Sequence, residues 1–411
     1  SLTIFGPIRF KSNSQKELEN LIIFNHFGGY VDFNSENKTF SFSGSSHFKY
    51  KKYYYGHIKP SLTYNKKKAK PSDSINSDFI NYQENQSSVG FENSWAIIQF
   101  GRGKESWGAG NDIELALSEN SSPYDYFLLG SDYGKVRVRY IHGFLEKIDG
   151  NINRYITSRG FEWTNKESLI IGFSETIIYS GENRSIDVGY INPMSSHLEV
   201  ELNNRLNNLG NANANAVWQA HLDYLLANKF RVSLNLLYDE FVIDSKVQIG
   251  KEHGKAFSCR LAYTPRISNN STFIFHSSLV YVGTPTFRHM NGANNFVHKR
   301  RPLGWKKGSD GQDLNFGLDF FNQKNLMIKL SIGYYEIGQE STTDRVFDPY
   351  FDYLSGDFPS GVIYKSFYFR SSYDYWSDDL FSLFAEFNWN QNMGNEIQFG
   401  FRFYNSFVSE L

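Results

Sequence analysis

Residues 395–407 of this 411-residue chain read NEIQFGFRFYNSF, and they decide the fold class. One face of the stretch is apolar and the other is polar or small: Ile397, Phe399, Phe401 and Phe403 alternate with Gln398, Gly400, Arg402 and Tyr404. Alternation with a period of two residues predicts a β-strand. Because the apolar face is aromatic and the other face carries an arginine, the pattern is typical of a strand that separates lipid from a wet interior.

Other stretches repeat this pattern, at residues 39–50, 229–241 and 325–335. Each has one apolar and one polar face, and the sequence predicts no helices that would cover either face. The chain is also 17% aromatic, with 37 Phe and 27 Tyr, which suit strands and membrane interfaces. A soluble sandwich packs its apolar faces against each other. The density of aromatic residues favours a membrane barrel instead.

Composition argues against several other classes of protein. The sequence has no apolar run of about 18 residues, the length that a transmembrane helix needs. The single cysteine, Cys259, forbids an internal disulfide. A net charge of −1, without a phosphate-binding glycine motif, gives no indication of nucleic-acid binding.

Short polar turns alternate along the chain with longer connections. The short turns lie near residues 51–52, 93–94, 132–133, 165–167, 227–228, 268–270, 323–324 and 377–379. The longer connections span residues 66–81, 103–111, 181–213, 245–254, 290–311 and 340–361. Outer-membrane barrels keep short turns on the periplasmic side and long loops outside. We therefore predict an all-β fold, a transmembrane antiparallel β-barrel of about eighteen strands with both chain ends on the periplasmic side.

The chain divides into three predicted regions. Residues 1–25 form an N-terminal periplasmic segment, residues 26–407 the barrel and residues 408–411 a periplasmic tail. The SQKELENLII stretch of the first region has apolar residues at helical spacing behind a serine. This short helix either packs on the body of the protein or plugs the periplasmic mouth. Alternation breaks at residues 112–130, and residues 184–213 hold either a short helix or an extra hairpin.

Motifs in the middle of the chain resemble the Wzi capsule-assembly family of outer-membrane proteins. They are Gly6-Pro7, GRGKESWGAGN at 101–111, LALSENSSP at 115–123, YITSRGFEW at 155–163, Asn192-Pro193, LYDEFVID at 237–244, Phe287-Arg288-His289 and Pro302-Leu303-Gly304. The resemblance implies a barrel of the predicted size with a helical periplasmic plug, in the bacterial outer membrane. It also implies a lectin-like role in attaching capsular polysaccharide to the cell surface. The chain departs from the family in its single predicted plug helix and in four residues that follow Phe407.

A polysaccharide is held by aromatic rings that stack on its sugars and by charged or amide groups that bind its hydroxyls. Basic residues join them where the polymer is anionic. The outer loops offer both kinds of group, and we predict these polysaccharide-binding residues: Arg288, His289, Lys299, Arg300, Arg301, Trp305, Lys306, Tyr350, Asp352 and Tyr353. A second basic run, at residues 66–70, is more typical of a solvated loop tip.

Four arginines are predicted to line the lumen, because they alternate with apolar residues on their strands: Arg137, Arg139, Arg231 and Arg370. They either form a salt-bridged interior, with Asp239 and Asp374 among the partners, or provide a path for an anionic solute. Trp107, in the SWGAG motif, is interpreted as a membrane-interface anchor beside glycines in a positive-φ turn.

The sequence favours no catalytic site. Asp239 and Glu240 are neighbours in a predicted strand, so their carboxylates face opposite sides. The 10 histidines show no metal-ligand spacing. We therefore expect a non-catalytic protein without metal or cofactor.

We predict the first of three functions and keep the other two as alternatives. The first is a surface lectin for capsular or other extracellular polysaccharide, with outer-membrane lipids and lipopolysaccharide as its surroundings. The second is a porin-like channel for small solutes, anionic ones among them. The third is a structural barrel subunit in a larger surface assembly, whose protein partners the sequence does not identify.

Overall fold

The computed structural model describes residues 21–34, 38–51, 53–65, 80–81, 85–203, 205, 214–239, 250–267, 270–351, 355–377 and 380–409. Eighteen antiparallel strands in these residues pair side by side in one sheet. The first strand, Leu21–Asn34, pairs with the second and also with the last, Gly394–Ser409, so the sheet closes on itself. The predicted antiparallel barrel is confirmed.

The strands are numbered in chain order. The first nine are β1 (Leu21–Asn34), β2 (Lys38–Tyr50), β3 (Tyr54–Lys59 and Ser61–Asn65), β4 (Ile80–Asn81 and Gln86–Glu92), β5 (Ala96–Gly103), β6 (Tyr124–Asp132), β7 (Val136–Ile148), β8 (Ile152–Thr164) and β9 (Leu169–Glu182). The second nine are β10 (Ala214–Leu226), β11 (Phe230–Tyr238), β12 (Lys255–Tyr263), β13 (Thr272–Val282), β14 (Gly311–Phe321), β15 (Leu326–Ile337), β16 (Tyr364–Trp376), β17 (Phe381–Asn390) and β18 (Gly394–Ser409). Each strand pairs with its neighbours in sequence order.

The two faces of the barrel wall have opposite chemistry. In β18, Phe399 and Phe401 are exposed on the outside, whereas Arg402 points inward and pairs with Asp374 of β16. The same alternation recurs around the wall, where outward apolar side chains are exposed and many inward polar ones are buried. A closed sheet satisfies every backbone group within the wall, so its outer surface can be apolar where it meets lipid.

The two ends of the barrel differ in the length of their connections. One end carries the short turns, such as residues 133–135 and 322–325, together with both ends of the barrel sheet. The other end carries the longer connections, such as residues 104–123 and 283–310. This asymmetry agrees with the predicted orientation of the barrel in the membrane, so the long loops are extracellular.

The predicted region boundaries shift at both ends. β1 begins at Leu21 and β18 ends at Ser409, so strand structure extends beyond the predicted range 26–407. Leu21 and Ile22, which the helical spacing assigned to the N-terminal helix, lie in β1 instead. Register with β2 and β18 outweighs that local spacing. The rest of the predicted plug, residues 1–20, lies outside the described residues.

Two short helices occur in the connection between β9 and β10, as the sequence allowed. They are α1 (Val188–Ile191) and α2 (His197–Leu202). The side chains of Asp187 and Ser196 cap their first turns by accepting backbone N–H bonds. Within the described residues, neither these helices nor any other is long and apolar enough to cross a membrane.

An exchange of two neighbouring residues in β15 tests the assignment of the faces. In the double variant Lys329→Leu with Leu330→Lys, the lysine moves from the inner face to the lipid face. We expect insertion to fall sharply, because a lysine facing lipid near mid-bilayer costs about 2–4 kcal/mol. Heat-modifiable gel mobility of the membrane fraction measures the folded barrel. The single variant Lys329→Leu is the control and should assemble; normal assembly of the double variant would show that the faces are inverted.

Candidate functional site at the outer mouth

The connection between β5 and β6, residues 104–123, folds into the outer part of the lumen and is called the inserted segment. Its apolar residues Ile113, Leu115 and Leu117 are fully buried. They pack with residues of the loop between β13 and β14, residues 283–310, which is called the cap loop. The two are also joined through their backbones, since the Trp305 N–H donates to the Leu115 carbonyl at 3.1 Å. An apolar core therefore occupies the outer mouth.

Amide side chains of the wall hold the backbone of the inserted segment. Asn235 of β11 both accepts from the Ala109 N–H, at 2.8 Å, and donates to the Ala109 carbonyl, at 2.9 Å. Gln219 of β10 donates to the Trp107 carbonyl, and the hydroxyl of Ser258 in β12 donates to the Ile113 carbonyl. An irregular backbone buried in a barrel needs such partners. None of these residues is among the predicted site residues, although amides on the inner face of two adjacent strands were a signal.

Trp107 lies in the lumen, which corrects its interpretation as a membrane-interface anchor. Its ring is buried against the backbone of Gly160 in β8, and the guanidinium of Arg139 lies 5.1 Å from the ring centre. Gly108 follows with a φ of 131°, as expected of a glycine turn. Arg139 also forms an ion pair with Glu105. These contacts fix the start of the inserted segment to the wall.

A second set of buried groups fixes the cap loop. Arg154 of β8 is fully buried and donates to the carbonyls of Ala293 and Asn295 while it pairs with Glu146 of β7. The carboxylate of Asp310 accepts from Thr284 and from backbone N–H groups of the loop between β15 and β16. Because each of these groups has several partners, the cap loop and its neighbours form one connected network.

Two of the predicted polysaccharide-binding residues are buried instead. Trp305 is 3% exposed within the apolar core, so its ring does not offer a stacking surface. Arg288 is 1% exposed and donates to Glu340 and to the Asp348 carbonyl. Burial lowers the pKa of Arg288, and Glu340 opposes this shift. Both residues hold the loops together, which corrects the expectation that they contact a ligand.

The side chains of Lys306 and Lys307 lie near residues of the inner wall. The side chain of Lys306 is exposed and lies near the inner-face residues Arg370 and Asp313; partial desolvation of its ammonium group and the charge of Arg370 lower its pKa. The Nζ atom of Lys307 lies 3.7 Å from the centre of the Tyr335 ring and pairs with Asp313. Burial lowers the pKa of Lys307 to about 7, although Asp313 favours the charged form. The assignment of Lys306 to the polysaccharide site stays a prediction, with its exposed side chain close to the inner wall.

The remaining predicted residues divide between two places on the outer surface. Lys299 and Arg300 form the turn of a small hairpin in the cap loop, in which Val297–His298 pairs with Arg301–Pro302. Tyr350 is half-buried, with the Arg288 guanidinium 5.1 Å from its ring centre, and its N–H donates to the His289 carbonyl. Burial lowers the pKa of His289. The predicted Asp352 and Tyr353, and the lysine run at 66–70, lie outside the described residues.

The four predicted lumen arginines lie on the inner face, and three of them form ion pairs. Arg139 pairs with Glu105, Arg137 with Asp132 and Arg231 with Asp223. The guanidinium of Arg370 lies 4.6 Å from the centre of the Tyr368 ring. Of the two aspartates that the sequence suggested as partners, Asp374 pairs with Arg402 and Asp239 accepts from the Phe287 N–H. Within the part of the chain that the structure describes, no group of three His, Cys, Asp or Glu is arranged to hold a metal.

Replacing Asn235 and Gln219 together with Ala tests how the inserted segment is held. The variant leaves buried backbone groups of Trp107 and Ala109 without partners, at about 1–3 kcal/mol for each group. We expect faster hydrogen–deuterium exchange in the inserted segment and a larger conductance across a planar bilayer. Asn388→Ala, the same kind of exchange on the inner face of β17, is the matched control. Unchanged exchange in the double variant would show that the amides do not hold the segment.

The fold is similar to that of solved outer-membrane proteins. One is Wzi of Escherichia coli, described as involved in group 1 capsule assembly and as a carbohydrate-binding β-barrel; its TM-score is 0.65 at 10% identity, covering 92% of this chain and 83% of that one. Another is OccK5 (OpdH) of Pseudomonas aeruginosa, with a TM-score of 0.52 and 7% identity, covering 95% of this chain and 98% of that one. A third is OpdQ of the same organism, with a TM-score of 0.50 and 9% identity, covering 95% of this chain and 98% of that one.

No family model and no curated protein matches the sequence. At identities this low, structural similarity shows the fold alone. A large closed barrel with an apolar outer wall and the fold of bacterial outer-membrane proteins is located in the outer membrane.

Proposed function

We propose that this barrel is a non-catalytic surface lectin that binds capsular or other extracellular polysaccharide at its outer mouth. The observation that carries the proposal is the packed mouth, where the inserted segment and the cap loop form an apolar core inside the wall. A solute channel needs a continuous wet path, whereas a lectin needs only a rigid outer face. The Wzi-like motifs of the sequence and the similarity to a carbohydrate-binding barrel support the same function.

The outer face supplies two kinds of group that suit a polysaccharide. The hairpin presents Arg300 of its turn and Arg301 of its second strand, both exposed, for charged hydrogen bonds to acidic or hydroxyl groups. The region around Tyr350 adds the exposed ring of Phe351 and the exposed carboxylate of Asp348, which suit stacking and hydroxyl binding. The buried network beneath the hairpin and the Tyr350 region gives both of them a rigid support. We therefore assign ligand contact to these residues, and a supporting role to Arg288 and Trp305.

A porin-like channel is the second candidate, and the inner face gives it a specific basis. Lys329 is exposed to the lumen on β15, and Lys306 and Arg370 lie near one another below the outer mouth. Charged inner walls of this kind suit small anionic solutes. The similarity to OccK5 and OpdQ is compatible with this function. It requires the inserted segment to move, because that segment fills the outer mouth.

The double variant Arg300→Ala with Arg301→Ala tests the site. We expect capture of extracellular polysaccharide from the source cells to weaken by about tenfold or more, because a hydrogen bond from a charged group contributes about 1.5–3 kcal/mol. A pull-down with purified, folded barrel measures it. The control is Lys166→Ala with Lys324→Ala, which removes the same charge from the periplasmic turns. Equal capture by the two double variants would remove the hairpin from the site.

Single-channel recording of the purified protein in a planar bilayer separates the two candidate functions. The lectin proposal expects no steady conductance, together with capture of polysaccharide. Steady conductance without capture would favour the channel and direct mutation to the inner face. In that case Arg370→Ala should change anion selectivity, since it removes a positive charge from the lumen.

A further inference from the structure

The connection between β9 and β10 folds back over the outside of the barrel. This element, residues 183–203 and 205, is called the flap. On β8, the outward side chain of Phe161 is 50% exposed, but that of Arg159, two residues further toward the outer end, is 8% exposed. On β9 the exposed fraction of the outward side chains falls in the same way from Phe173 to Glu175. Because side chains two residues apart share a face, the flap covers the outer wall from this level upward.

Polar groups of the outward face bind the flap directly. Arg159 forms an ion pair with Glu175 at 3.3 Å and donates to the Asn192 carbonyl at 2.9 Å. Glu175 also accepts from the His197 N–H at 3.0 Å, and the Tyr140 hydroxyl donates to the Tyr190 carbonyl at 2.9 Å. A charged pair on the lipid face would be very costly without cover. The flap lowers that cost because it shields the pair from lipid and forms a hydrogen bond with each partner.

A small second core lies between the flap and the wall. Tyr179 of β9 stacks on Tyr155 of β8 at 5.0 Å between ring centres, and Tyr190 of α1 packs on Tyr179 at 4.8 Å. Val200 of α2 and Ile177 of β9 are fully buried in the same cluster. The flap is thus a packed part of the protein on the outer surface of the barrel.

The side of the flap that faces away from the wall is apolar. Within thirteen residues it exposes five large apolar side chains: Ile186, Val188, Ile191, Met194 and Leu198. Met194 is 88% exposed and Val188 66%. A concentration of exposed apolar groups of this kind marks a contact surface.

The position of the flap identifies what it contacts. Glu175 under the flap is the cross-strand partner of Trp218 in β10, and Trp218 is the partner of Tyr238 in β11. Along this row Glu175 is buried and Tyr238 is exposed. The next outward residue of β11, Leu236, is exposed and apolar as well. The apolar side of the flap is therefore continuous with the lipid-facing wall. We propose that the flap lies in the outer leaflet of the outer membrane and contacts its acyl chains.

Depth-dependent quenching in lipid vesicles tests this proposal on the full chain. In a Cys259→Ser background, an environment-sensitive fluorophore is attached to Met194→Cys. Phe173→Cys serves as the lipid-facing control and Arg300→Cys as the water-facing control. We expect a nitroxide carried on lipid acyl chains to quench the Met194 label as strongly as the Phe173 label. We also expect aqueous iodide to quench only the Arg300 label strongly.

Two results would overturn the proposal. Quenching of the Met194 label by iodide, as at Arg300, would place the flap in water. Shielding of that label from both quenchers would indicate a protein contact, and energy transfer between labelled copies would identify that protein as a second barrel. Val188→Cys repeats the experiment at a second position if the Met194→Cys protein does not fold. Heat-modifiable mobility shows in each case that the barrel is folded.

Discussion

The sheet closes on itself, and this closure determines what each face of the wall can contact. β1 pairs with β18 over the full length of β1, so no strand edge is left within this seam. Once the backbone is satisfied within the wall, side chains alone decide what each face contacts. The outward face is apolar for lipid, and the inward face must satisfy its polar groups by itself. The ion pairs, the hydrogen bonds of amide side chains and the inserted loops of the interior meet that requirement.

The outer mouth shows how the interior is filled. An irregular segment enters the lumen only because the wall offers partners for its backbone, as Asn235 does for Ala109. Its apolar residues then meet those of the cap loop and form a core where a channel would have its entrance. The same packing that opposes a wide pore gives the outer loops a rigid support. A rigid surface loses less conformational entropy on binding, which suits recognition of a flexible polymer.

The sequence predicts the wall better than it predicts the loops. Alternation in stretches such as 395–407 identifies the strands, their faces and the number of crossings, because period two follows directly from strand geometry. The burial of Trp305 and Arg288 was not predictable in this way, since it depends on contacts with residues distant in the chain, such as Leu115 and Glu340. Composition of a loop shows which groups are available but not which way they face.

Some of the missed features did leave a signal. Arg159 and Glu175 stand at outward positions of their strands, where the pattern otherwise requires apolar residues. Charged residues in that phase indicate a part of the wall that lipid does not touch. Helix-forming stretches in the connection after β9 supply the cover. Reading the phase of polar residues along each strand, and not only the apolar ones, would have indicated the flap.

Hydrogen–deuterium exchange of the membrane-embedded protein, with and without extracellular polysaccharide from the source cells, locates the surface that the polymer contacts. If the outer face is the binding site, polysaccharide should slow exchange in residues 289–301 and 344–351 and leave the periplasmic turns unchanged. Protection confined to peptides of the inner wall, or no protection anywhere, would contradict the account.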